Sequence, residues 1–93
     1  MKKKEYDVLI DNILSSVIDW CANNNAKFFR TGKYSGFIPE TSFNYEKIED
    51  IKESIKNALN ITKKKLNKVI EIVFVKNRIY VLFKAQVSMY STK

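Results

Sequence analysis

Histidine is absent from the 93 residues, and Cys21 is the only cysteine. One thiol cannot make a disulfide framework. Without histidine, neither a zinc finger nor a Ser-His-Asp or Cys-His nucleophile system can be assembled. Long apolar runs are missing too. The longest, Ile79 to Phe83, is five residues, against the roughly 20 that a membrane helix needs. Met1-Lys2-Lys3-Lys4 resembles the basic head of a signal peptide, but Glu5, Asp7 and Asp11 deny it an apolar stretch. These absences predict a reduced, soluble, cytoplasmic chain with no catalytic residues, no metal and no cofactor.

Apolar residues make up 45% of the chain and aromatics 13%, enough to fold rather than stay disordered. The length allows one small domain, residues 1–93, which buries roughly 60–65% of its unfolded surface. Lysine outnumbers arginine 15 to 2, and the sequence holds 9 Asn and 11 Ile, the usage of an AT-rich genome. The formal net charge is +7. Residues 61–93 carry eight basic residues against Glu71 alone, so the last third accounts for the whole excess. Such asymmetry points to an anionic partner.

Tyr6, Leu9, Ile10, Ile13, Leu14, Val17 and Cys21 recur at three- and four-residue steps, which predicts an amphipathic helix over 5–23, with Trp20 flanking the stripe. Asn23-Asn24-Asn25 ends it. Residues 27–39 hold both glycines and the only proline, and read as a short strand or loose hairpin centred on 34–38. Ser42 or Asn44 can cap a helix over 45–58, with Ile48, Ile51, Ile55, Ala58 and Leu59 inside and a mixed-sign face outside. Thr62 can cap a further helix over 62–71, whose inner face is Leu66, Val69, Ile70 and Val73. The period then changes to two. A hairpin spans 72–90, with Lys76-Asn77 as its turn. Ile79, Val81, Phe83, Ala85, Val87 and Met89 share one face of its second strand. Tyr80, Leu82, Lys84, Gln86, Ser88 and Tyr90 share the other. That strand outruns its partner, and the excess either pairs with the 34–38 strand or stays as an edge.

The order helix, strand, helix, turn, helix, hairpin resembles the winged helix-turn-helix superfamily. The resemblance is carried by Leu59-Asn60-Ile61-Thr62-Lys63-Lys64-Lys65-Leu66-Asn67-Lys68-Val69-Ile70, with Val73 to Phe83 as the wing. It implies an α+β fold of three helices with a C-terminal β-hairpin and a short strand from the 34–38 region. It also implies a DNA-binding role for the second helix of the pair and for the wing. The wing tip is short, offering only Lys76, Asn77 and Arg78.

Charge at the start of that second helix supports the same reading. A helix N-terminus carries about +0.5 of partial charge, and basic side chains there cost roughly 0.3–1 kcal/mol each before screening. Lys63, Lys64 and Lys65 stand there all the same. A phosphate would resolve the conflict, since backbone N–H groups and ammonium groups would both point at it. Lys64, Lys65 and Lys68 are the expected phosphate contacts, with Lys63 beside them, and Asn67 is the one neutral residue suited to a base edge. Lys76 and Arg78 would reach the backbone or minor groove from the wing. With one base reader and no arginine on the helix, sequence preference should be weak and salt dependence strong.

A second patch runs from Lys27 to Phe37, in which Arg30, Lys33 and Tyr34 are expected at the surface. Basic residues interleaved with aromatics suit single strands, but Phe28, Phe29 and Phe37 are read here as core. Asp7/Asp11 and Glu49/Glu53 sit four apart on helices and are read as solvated, not as metal ligands. Cys21 is read as a small buried apolar residue. Tyr80, Met89 and Tyr90 mark either a contact surface or burial against the first helix.

The function expected from these readings is a non-catalytic accessory factor for DNA replication, helping a polymerase, primase or helicase encoded on a bacterial mobile element. Two alternatives stand beside it: a small transcriptional regulator, and a protein-interaction module such as a phage-borne inhibitor. The partners expected are DNA, double- or single-stranded, and a larger protein or a second copy docked on the 79–90 strand, with no membrane.

Overall fold

The computed structural model describes residues 3–40 and 45–84. Helix α1 (Lys3–Asn23) buries the predicted stripe: Tyr6, Ile10, Ile13, Leu14, Val17 and Cys21 are inside, and Leu9 packs against them half-buried. Trp20 joins the stripe rather than flanking it, and its indole N–H donates to Asp50 at 2.7 Å. The asparagine run stops the helix by a specific device. Asn25 adopts φ 56°, which lets the Ala26 N–H reach back to the Cys21 carbonyl at 2.9 Å. The same device ends α2 (Tyr45–Leu59), where Asn60 at φ 55° lets the Ile61 N–H bond the Lys56 carbonyl at 3.2 Å. Ile48, Ile51 and Ile55 of α2 are buried and Leu59 is half-buried. Ala58 is exposed, at the edge of an open groove with Asn12, Ser15 and Asp19. The expected caps Ser42 and Asn44 lie outside the described residues.

After Ile61, which packs on the core, Thr62 caps α3 (Lys63–Val69) by accepting the Lys65 N–H at 3.1 Å. The helix stops two residues earlier than its apolar period predicts. Ile70 is already extended and opens β3 (Ile70–Val75), so Ile70 and Val73 belong to a strand and not to a helix face. Four β-branched residues between Val69 and Val73 favour the strand. The turn Lys76-Asn77 has both residues at positive φ, 51° and 64°, as a two-residue hairpin requires, and leads into β4 (Arg78–Phe83).

Residues 27–39 form a full hairpin, β1 (Phe29–Gly32) and β2 (Ser35–Pro39). The four strands make one antiparallel sheet in the order β1-β2-β4-β3. β2 pairs with residues 78–82 of β4 and not with a later extension; residues 85–90 lie outside the described residues. Alternation along each strand divides the sheet into two faces. Ile38, Ile70, Ile72, Ile79, Val81 and Phe83 point to the helices and complete the core. Among the described residues the result is a small α+β fold of three helices and a four-stranded antiparallel sheet. Its order is compatible with a winged helix that carries β1 as an additional edge strand.

Candidate nucleic-acid interface

Leu66 and Val69 anchor α3 from beneath. At about 100° per residue, Lys64 and Lys68 then stand opposite the core, with Lys63 and Asn67 on one flank and Lys65 on the other. All five are exposed. Lys64, Lys65 and Lys68 have no acidic partner among the described residues.

Lys63 differs. Its Nζ donates to Glu49 Oε1 on α2 at 2.9 Å. That hydrogen bond, with the charge of Lys63, holds the Glu49 carboxyl below the usual carboxylate range and raises the Lys63 ammonium above its ordinary value. The charge conflict at the start of α3 is therefore partly relieved inside the chain. Thr62 takes one backbone N–H and Glu49 offsets one of the three lysines, leaving two of the three for an outside anion.

The remaining predicted residues divide between the two ends of the sheet. The β1–β2 turn, Lys33-Tyr34, lies at the end where α3 enters β3, since Ser35 is in register with Leu82 and Leu82 with Glu71. Lys76 stands at the other end, about 20 Å along β3 from the base of α3. Arg30, Lys33 and Tyr34 are exposed, as expected, but Arg30 is tied locally. Its guanidinium donates to the carbonyls of Gly32 and Lys33, both at 2.9 Å, and braces its own turn. Lys33 approaches Asp7 at 3.7 Å and lies over the Tyr34 ring at 5.5 Å. Tyr34 stacks on the buried Tyr6 with ring centroids 6.3 Å apart. Lys33 and Tyr34 thus dock the hairpin on α1. At the other end, Lys76 is exposed in the turn, while Arg78 lies over the Phe37 ring at 4.1 Å.

Phe28, Phe29 and Phe37 do not share one fate. Phe28 packs against the core, whereas Phe29 and Phe37 point away from the helices and Phe29 is 46% exposed. A strand forces this result, because neighbours such as Phe28 and Phe29 must leave on opposite faces. That signal is present in the sequence once residue 29 is placed in a strand. Tyr80 lies beside Phe37 on the same outward face and does not pack on α1; Met89 and Tyr90 lie outside the described residues.

Of the two acidic pairs, Asp7, Glu49 and Glu53 take part in ion pairs. Glu49 also meets Lys52 at 3.9 Å, Glu53 meets Lys56 at 3.2 Å, and Glu40 bonds Lys47. Among the described residues no group of three or more His, Cys, Asp or Glu is placed to hold a metal, and no helix is long and apolar enough to cross a membrane. Cys21 is buried, and burial pushes its thiol pKa up, away from reactivity. No family model matches the chain, and no match was found among curated proteins or solved structures.

Proposed function

We propose that the chain is a non-catalytic DNA-binding protein of the winged-helix type. In this reading α3 brings Lys64, Lys65 and Lys68 to backbone phosphates, and the β3–β4 hairpin is a short wing bearing Lys76 and Arg78. One observation carries the reading. The outward face of α3 holds three lysines without acidic partners among the described residues, while Glu49 and Glu53 on neighbouring α2 are engaged by Lys52, Lys56 and Lys63. A surface that needed only solubility would interleave signs, as α2 does. The helix before this face is fixed in place by the Asn60 turn, the Ile61 contact and the Thr62 cap, so the amines project from a rigid support.

Asn67 is the one base-edge reader on α3, which favours binding by phosphate and shape over recognition of a fixed operator. We therefore take the role to be that of an accessory factor, which holds DNA for a larger replication enzyme rather than acting on it. The test is fluorescence anisotropy with a labelled duplex at low and at physiological salt. Affinity should fall steeply with salt, and the double change Lys64→Glu, Lys65→Glu should abolish binding while the circular-dichroism melt stays unchanged. Undiminished duplex binding by that folded variant would remove α3 from the interface.

A further inference from the structure

The sheet has a second face, which no helix among the described residues covers. In register across it run Phe29, Phe37, Tyr80 and Val73, one residue from each strand. The Phe29 and Phe37 rings stack with centroids 5.5 Å apart at 25°, and Phe37 and Tyr80 follow at 5.8 Å. Arg78 lies over Phe37 at 4.1 Å and its guanidinium reaches the Tyr80 hydroxyl at 3.4 Å. None of these side chains belongs to the core cluster or packs against it.

We propose that this face is a separate binding site for single-stranded DNA, on which unpaired bases stack against the Phe29–Phe37–Tyr80 row and the Arg78 guanidinium plane. Four features point to that occupant. The rings stand on a hydrogen-bonded sheet, so their positions are set before binding. The row holds flat π surfaces, which suit bases of any identity, and a planar cation already lies on the middle ring, where a base would extend the stack. Charge is complementary, since Arg78 stands on the face, Lys76 extends from its end, and Glu71 is the sole acid among the outward strand positions. A second copy docked face to face would instead bring those cations toward one another. Duplex DNA hides its bases from such a surface, so the face and α3 read different forms of the polymer and the inference does not depend on the α3 assignment.

The experiment is anisotropy of a labelled oligothymidine against the full chain, with the duplex as a parallel probe. Phe29→Ala and Tyr80→Ala should each weaken oligothymidine binding by about tenfold, the effect of losing one base stack, and leave duplex affinity unchanged. Phe29→Tyr, which keeps a ring, should retain binding. Lys64→Glu with Lys65→Glu should reverse the pattern, losing the duplex while oligothymidine stays bound. Photocrosslinking of bromodeoxyuridine oligonucleotides to the unaltered protein needs no variant to fold, and adducts should fall on Phe29, Phe37 or Tyr80. Adducts confined to α3, or ring-to-alanine variants that bind oligothymidine as well as the parent, would overturn the proposal. So would a dimer of the parent chain in sedimentation that Phe29→Ala dissociates, because the face would then belong to a second copy.

Discussion

At Gly36 the sheet and the Phe28 ring approach more closely than any side chain allows. A Cβ there would stand 2.2 Å from the Phe28 Cζ and 2.9 Å from both Cε atoms. Phe28 crosses under β2 to reach the core, and glycine leaves room for it. Gly36→Ala should therefore destabilise the fold by about 1–3 kcal/mol through overpacking. The same substitution made in a Phe28→Ala background should change sign. With the ring gone, alanine in a strand is favoured over glycine by roughly 0.5–1 kcal/mol. Urea denaturation of the four proteins in the cycle measures both values. A penalty that persists without the ring would show that Gly36 is needed for its backbone and not for the space.

Helices α2 and α3 meet through Ile61 and, at the surface, through Glu49 and Lys63, and this pair sets how much positive charge α3 presents. Because the folded-state pKa of Glu49 lies below its unfolded value, the pair stabilises the fold above the ordinary carboxylate range. That contribution is lost as pH falls through the folded pKa, beneath the ordinary carboxylate range. Lys63 has its pKa raised, so its part is present at neutral pH and disappears only above the usual lysine range. Across neutral pH the pair is intact and Lys63 is withheld from outside anions. Glu49→Gln should release it. The expected outcome is tighter duplex binding at neutral pH, with a log–log salt dependence steeper by about 0.9, one further phosphate contact. An unchanged slope would mean that Lys63 faces away from DNA. Much of this element-scale arrangement is legible in the sequence. The α1 stripe, the Thr62 cap and the Lys76-Asn77 turn follow from period and side-chain chemistry acting over a few residues. The long-range pairings are not legible. Glu49 with Lys63, Trp20 with Asp50, and Phe37 with Tyr80 depend on how elements are placed in space, which no local period encodes. The early end of α3 is intermediate, since Leu66, Val69 and Ile70 satisfy a helix period while the β-branched run they enter favours extension, and the sheet decides.

At the scale of the whole molecule, charge is distributed unevenly over a fold whose α1 and α2 are each net negative. Acids on α2 meet lysines one turn away or across to α3, so the uncompensated charge gathers on α3 and at the hairpin turn. A binding mode built on that distribution has a countable signature. Four phosphate contacts, from Lys64, Lys65, Lys68 and Lys76, give a log–log slope of duplex affinity against salt of about −3.6. Lys68→Ala should make the slope shallower by about 0.9 and weaken every duplex alike. Asn67→Ala, which removes the lone base reader but no charge, should leave the slope intact. Duplexes of unrelated sequence should differ in affinity by at most about 150-fold, since one bidentate contact distinguishes bases by only about 1–3 kcal/mol. Titrations of the parent and the two variants over a range of salt concentrations measure all three quantities. A slope near zero, or one that Lys68→Ala leaves unmoved, would mean that the amines of α3 are not on phosphates, whatever the affinity.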